Sequence, residues 1–235
     1  TKNDLVSSVA HDLRTPLTSI IGYLGWVRTR TDLDEEMRNH YIDIAYQKAL
    51  RLEQLTNELF GFVKLEHKEM QLHLGKLDLV QLMEQMLDEM TPSFVKNELQ
   101  VEFLHAEHAI FLEADGELLA RLFGNLLNNA VKYGKEGKQI RVSMEKEGEY
   151  VVTRVINYGR IIPKQELDHI FQKFYRTEQS RSRDTGGTGL GLAIVQQIAE
   201  LHHGQVRVKS DLQGTVFEVE LPVGMPKGKK EDEKR

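Results

Sequence analysis

The sequence predicts an α-helical hairpin followed by an α/β two-layer sandwich, and three observations carry that reading. Two long stretches near the N-terminus place apolar residues at steps of three and four. Beyond residue 76, helical periodicity alternates with short strand-like runs. At about 150 residues per domain, 235 residues make room for one small helical unit and one α/β domain.

The first helix is read from Leu5, Val9, Leu13, Leu17, Ile20, Leu24 and Val27, which mark one face of an amphipathic helix ending near Thr29. A turn over Thr31 to Asp34 follows, with Asp32 or Asp34 as N-cap and Glu35 and Glu36 in the next first turn. Met37, Tyr41, Ile44, Leu52, Leu55, Leu59 and Phe62 then carry a second stripe to about Glu66. A two-helix hairpin cannot bury broad stripes on both members. Pairing of two hairpins into a dimeric four-helix bundle does bury them.

The second part opens with a helix over Leu77 to Met90 and short alternating runs at Gln100 to Phe103 and Ala109 to Glu113. Asp115 is an N-cap for a helix reaching Lys132. Alternation in Gln139 to Glu145 and Tyr150 to Asn157, around Glu147-Gly148-Glu149, predicts a β-hairpin. A short helix near Pro163 to Phe171, a Gly/Ser/Arg-rich loop, a helix from Gly189 to His203 and strands at Gln205 to Ser210 and Thr215 to Leu221 complete it. Helices with mainly antiparallel strands make a two-layer sandwich. The expected division is 1–68 for the hairpin, 69–76 for a linker, 77–223 for the α/β domain and 224–235 for a charged, disordered tail.

Composition removes several function classes. Hydrophobic residues make up 40% of the chain, which excludes disorder throughout. Thirty-one Lys and Arg against 36 Asp and Glu give a net charge of −5, which argues against general affinity for nucleic acid or anionic membrane. Without cysteine there is no disulfide, thiolate metal site or Cys nucleophile. No run approaches 18 apolar residues, so neither a spanning helix nor a signal peptide is expected, and the chain reads as the soluble part of a longer protein.

Three groups of residues carry chemistry. His11 lies about 200° round the helix from both Val9 and Leu13, pointing off the apolar stripe as a usable nucleophile, with Asp12 beside it to accept or orient the ring proton. Pro16 bends that helix one turn later. Asn125, Asn129 and Lys132 share one helix face. Amide oxygens suit Mg²⁺, and the Lys supplies a point charge for phosphate. Gly186 to Gly191 fits neither the phosphate-loop nor the dinucleotide pattern, yet runs into a helix N-terminus able to attract phosphate. Arg176, Arg181 and Arg183 precede it in a loop that reads as a lid. His202 and His203 read as a C-terminal helical turn favourable to the dipole.

Taken together, these segments resemble the transmitter region of two-component sensor histidine kinases. His11-Asp12-Leu13-Arg14-Thr15-Pro16-Leu17 resembles the H-box, and Asn125 to Tyr133 the N-box. Phe171 to Arg176 resembles the F-box, and Gly187-Thr188-Gly189-Leu190-Gly191-Leu192 the G2-box. The resemblance implies a homodimer through the hairpin, His11 as phosphoacceptor, and a Bergerat-type ATP-binding domain. It places Asn129 on Mg²⁺, Asn125 and Lys132 at the phosphates, and Tyr133, Asn157, Gly159, Phe174 and Gly187 to Gly191 (Gly187, Thr188, Gly189, Leu190, Gly191) around the nucleotide. Lys132 and Arg176 are the implied charge stabilisers, Thr15 the implied phosphatase residue, and a response regulator receiver domain the implied partner. Nucleic acid is not an expected partner, and a membrane would be met only through preceding segments, this being the cytoplasmic region of a bacterial sensor. One motif departs: the family's G1-box is usually Asp-x-Gly-x-Gly, whereas Asn157-Tyr158-Gly159-Arg160-Ile161 stands here, similar to the vancomycin-resistance type of sensor kinase. By the resemblance, Asn157 stands in place of the Asp that accepts the adenine amino hydrogen, and Ile161 in place of a Gly; an amide oxygen can still accept that bond but loses its charge-assisted part. The rival readings are a non-kinase ATPase on the same nucleotide fold and a regulator-binding phosphatase or scaffold.

Overall fold

The computed structural model describes residues 2–66, 71–177 and 189–224, with the side chains of 2–9, 11 and 66 outside that description. It divides into two compact units, 1–68 with 172–190 and 69–171 with 191–235.

The first unit is built on α1 (Lys2–Thr29) and α2 (Glu35–Glu66). Asp34 is the N-cap of α2: its Oδ1 accepts the Met37 N–H at 2.7 Å, and its carbonyl accepts the Arg38 N–H. The hairpin closes through aromatic contacts, with Tyr41 stacked on Tyr23 at 5.8 Å and edge-on to Trp26 at 5.7 Å. Ala45, Phe62 and Leu65 are buried, and the Lys173 ammonium sits 4.7 Å above the Phe62 ring. Leu17, Ile21, Leu24, Trp26, Tyr46 and Phe60 remain exposed, so the hairpin leaves much of its apolar surface uncovered. Pro16 lies inside α1 and does not end it.

In the second unit, β1 (Gly75–Asp78) pairs antiparallel with β3 (Phe111–Ala114). A five-stranded sheet joins β2 (Gln100–His105), β4 (Gln139–Glu147), β5 (Tyr150–Asn157), β7 (Gly214–Pro222) and β6 (Gln205–Asp211) in that spatial order. Only the β2–β4 pair in it is parallel. Helices α3 (Leu79–Lys96), α4 (Gly116–Tyr133) and α6 (Gly191–Leu201) form the second layer, and α5 (Lys164–Leu167) is a single turn. The core between the layers holds Leu119, Leu122, Phe123, Leu126 and Leu127 of α4, Ile194, Val195 and Ile198 of α6, and Ile140, Val142, Val155, Phe217 and Val219 of the sheet. The opposite face carries ion pairs instead, with Arg154 of β5 reaching Glu145 and Glu147 of β4 and Glu218 of β7.

Local differences from the sequence expectation have identifiable causes. Helix α3 begins two residues later than expected, because Leu77 belongs to β1 and the Asp78 carboxylate caps the Val80 N–H at 3.1 Å. It also runs past Met90, carrying Pro92 inside it to Lys96. The β4–β5 turn has Gly148 at φ 63°, the left-handed conformation that favours glycine. Among the described residues no helix is long and apolar enough to cross a membrane.

Candidate functional site

Helix α4 organises the candidate site. Its N-terminus is fixed by Asp115, 5% exposed, whose Oδ1 accepts the Leu118 N–H at 3.2 Å and whose Oδ2 accepts the His73 N–H at 2.9 Å. The leucines of α4 are buried against the sheet and α6, which turns Asn125, Asn129 and Lys132 to another face. Asn125 Nδ2 is sealed from solvent with no hydrogen-bond partner among the described residues. Gly191, the first residue of α6, lies beside the same amide: a Cβ there would stand 3.6 Å from Asn125 Oδ1. An orphaned buried donor costs folding free energy, about 1–3 kcal/mol for the unmet bond. A buried N–H of this sort, next to a helix N-terminus with free amides of its own, fits a phosphate oxygen.

At its C-terminus α4 meets the end of β5. Gly134 caps α4 through a 2.8 Å bond from its N–H to the Ala130 carbonyl, and a Cβ at 134 would stand 3.2 Å from Asn157 Cβ. A Cβ at Gly159 would run into the Tyr133 carbonyl, and one at Gly137 into that of Tyr158. Glycine is therefore required where the loop after α4 crosses the loop after β5. The crossing is pinned by Arg160, which pairs with Glu136 at 2.9 Å. It brings Tyr133, Asn157 and Gly159 together, with the Lys132 ammonium 5.0 Å from the Tyr133 ring centre.

Asn157 is 3% exposed and pairs in register with Ile140 on one side and Thr215 on the other. Thr215 is equally buried, and its Oγ1 lies 2.7 Å from Ser210 Oγ, which accepts the Ile162 N–H at 2.9 Å. The hydroxyl pair thus ties the loop after β5 to the β6–β7 hairpin. Sequence reasoning misses Thr215 and Ser210. Their only signal is two hydroxyls at inward positions of otherwise apolar strands.

His202 departs from the reading of a dipole-favouring turn. It is 2% exposed: its Nδ1 lies 2.9 Å from the Ile198 carbonyl, and its Nε2 accepts the Asp115 N–H at 3.0 Å. Burial pushes its pKa down, outweighing the Ile198 carbonyl and the Asp115 carboxylate, so the ring is neutral. His203 instead takes the left-handed position, at φ 56°.

The remaining predicted site residues belong to the first unit or to the segment 172–190 grouped with it. His11, Asp12 and Thr15 are on α1, where the His11 side chain falls outside the described residues and the Thr15 carbonyl accepts the Ser19 hydroxyl at 3.2 Å. Phe174 has φ 60°, and its N–H reaches the Gly189 carbonyl at 3.0 Å. Gly189, at φ 73°, lies so close that a Cβ would stand 2.7 Å from the Phe174 carbonyl carbon. Arg176 is half-buried and Leu190 fully buried. Arg181, Arg183, Gly186, Gly187 and Thr188 lie outside the described residues.

Among the described residues no cluster of three or more His, Cys, Asp or Glu side chains is placed to hold a metal ion. The ligand type this face of α4 offers a metal is the amide oxygen, which suits Mg²⁺ bound largely through phosphate oxygens and water, while the Lys132 ammonium suits the phosphates themselves.

Two family models match the chain: the His Kinase A (phospho-acceptor) domain over residues 1–68 and the histidine kinase-, DNA gyrase B- and HSP90-like ATPase over 114–225. The chain is 40% identical over 221 residues to the sensor protein VanS of Enterococcus faecium, covering 94% of this chain and 57% of that protein. It is 30% identical over 224 residues to the sensor protein kinase WalK of Staphylococcus aureus, covering 94% and 54%. The chain thus spans about half to three fifths of the length of these relatives. The histidine kinase ThkA, solved in complex with the response regulator protein TrrA, matches at 26% identity with a TM-score of 0.77, over 94% of this chain and 61% of that one.

Proposed function

Because the chain belongs to the sensor histidine kinase family, we propose that it transfers the γ-phosphoryl group of ATP to His11 and then to an aspartate of a response regulator. Residues 1–68 act as the dimerisation and phosphotransfer hairpin, and residues 77–223 as the nucleotide domain. The orphaned Nδ2 of Asn125, on a helix that also presents Asn129 and Lys132, carries the nucleotide half of this reading. The apolar surface left on α1 and α2 supports the dimer.

When bound, Mg-ATP supplies an activated phosphoryl group with its charge partly neutralised. Asn129 would hold the metal through its amide oxygen, Asn125 would donate to a phosphate oxygen, and Lys132 and Arg176 would neutralise the charge that develops. The imidazole nitrogen of His11 attacks phosphorus in line. The N–P bond forms as the bond to the leaving ADP oxygen breaks, and Asp12 takes the ring proton. Tyr133, Asn157, Gly159 and Thr215 are the base contacts, and the family resemblance adds Phe174 and Gly187 to Gly191 to the nucleotide-binding set. Thr15, one turn after His11, orients the water that removes phosphate from the regulator.

The test is incubation of the chain with Mg²⁺ and γ-labelled ATP beside His11→Gln and Asn129→Asp. The expected label is acid-labile and alkali-stable, and absent from His11→Gln. Label that survives in His11→Gln sinks the assignment, and absence of label despite ATP binding moves the reading to a regulator phosphatase.

A further inference from the structure

At the end of β5 the structure places a polar residue, Asn157, in the core, 3% exposed. Its amide is not among the described polar atoms sealed from solvent without a partner, and no side-chain hydrogen bond to protein is seen for it among the described residues. Glycines surround it: a Cβ at Gly159 would stand 3.4 Å from Asn157 Nδ2, and one at Gly134 would stand 3.2 Å from Asn157 Cβ. No protein partner fixes which end of the amide is oxygen and which is nitrogen. The two orientations are nearly isosteric and present opposite polarity to whatever lies beyond.

The neighbouring group has the same property. Thr215, the register partner of Asn157, shares a 2.7 Å hydrogen bond with Ser210 in which either hydroxyl can be the donor. Ser210 Oγ also accepts the Ile162 N–H, and this leaves the direction of the hydroxyl pair open. When Ser210 donates to Thr215, the Thr215 O–H is free to donate outward. When Thr215 donates to Ser210, a Thr215 lone pair is free to accept. Two adjacent buried groups are thus each reversible in polarity.

Adenine and guanine differ in just this respect along one edge. Adenine offers an amino donor at C6 and an acceptor at N1; guanine offers a carbonyl acceptor at C6 and a donor at N1. A carboxylate at 157 accepts only, so it pairs with the adenine amino group and repels the guanine oxygen. An amide meets either base by turning over. We infer that this nucleotide site accepts guanine as well as adenine nucleotides, with Asn157 as the residue that sets the tolerance and the Thr215–Ser210 pair adjusting beside it. This rests on the reading that Asn157 faces the base.

The test uses the full 235-residue chain with Mg²⁺ and a fluorescent trinitrophenyl-ATP probe, displaced in turn by ATP and by GTP. The wild-type affinities are expected within about thirtyfold of each other, and Asn157→Asp should widen the gap by about tenfold or more through loss of GTP binding. A wild-type preference for ATP beyond thirtyfold overturns the inference without any variant. Tolerance that persists in a folded Asn157→Asp overturns the assignment to this residue. Failure of the probe and of both nucleotides to bind overturns the nucleotide reading itself, an outcome distinct from selective binding of ATP.

Discussion

His202 Nε2 accepts the backbone N–H of Asp115 at 3.0 Å, joining residues 87 apart in the chain. The bond locks the C-terminal end of α6 to the N-terminal end of α4, the helix that bears the candidate phosphate-binding amides. It exists only while the imidazole is neutral, because a protonated ring has no lone pair to offer.

Acid should therefore weaken the α/β domain. The folded pKa of His202 lies below the ordinary histidine value of about 6.5, so the unfolded chain binds the proton first as pH falls. The contribution is fully present above about pH 6.5 and is lost as pH drops from there through the folded value. Urea unfolding at pH 7.5, 6.5 and 5.5 should show a steeper loss of stability for wild type than for His202→Gln. Parallel curves would mean that His202 does not titrate across this window.

Asp115 serves three chain segments at once: it caps α4 at Leu118, receives the His73 N–H and donates to His202. Asp115→Ala removes both side-chain acceptors and is expected to cost about 2–3 kcal/mol. Asp115→Asn keeps one acceptor oxygen and should recover roughly half of that. Equal losses in the two variants would show that the carboxylate charge, and not acceptance of hydrogen bonds, carries the effect.

Asn125 should trade stability against binding. Its Nδ2 is buried without a partner, so Asn125→Leu, which keeps the branching at Cγ but carries no polar atom, is expected to stabilise the nucleotide-free domain by about 1 kcal/mol. The same substitution should abolish high-affinity ATP binding. A calorimetric melt and an ATP titration of one preparation test both halves, and a destabilised variant would contradict the first.

Gly159→Ala places a methyl against the backbone carbonyl of Tyr133, which cannot swing aside as a side-chain tip would. It should cost more than about 2 kcal/mol and weaken ATP binding at least about tenfold, through displacement of Tyr133 and Asn157. Gly22, in α1, has nothing within 4 Å of its Cβ position, so Gly22→Ala should instead stabilise its helix by up to about 1 kcal/mol. Thermal melts of the pair make the comparison.

Features set by near neighbours along the chain are legible in the sequence alone. Asp34 and Asp115 cap helices as their positions predict, the Gly148 turn joins β4 to β5, and Asn125, Asn129 and Lys132 share a face. Features that depend on distant segments are not. His202 reads locally as part of a dipole-favouring C-terminal turn because its partner is 87 residues away. The role of Thr215 emerges only once β7 lies beside β5 in the observed register. Leu77 joins a strand because β3 offers it a ladder, a pairing across more than thirty residues that local periodicity cannot reveal.

The place of β7 bears on the order in which the domain can assemble. It is the last strand among the described residues but an inner strand of the sheet, pairing residue 150 with residue 222 on one side and β6 on the other. On the ribosome, β4 and β5 can form their hairpin early, yet β5 must wait with one edge open until residues 214–222 have emerged. Contacts of such sequence separation slow folding and leave a pairing edge exposed in the meantime. A chain that stops short of Gly214 loses the middle of its sheet, not a border, and its product should be cleared by proteases in place of accumulating as a weakened domain.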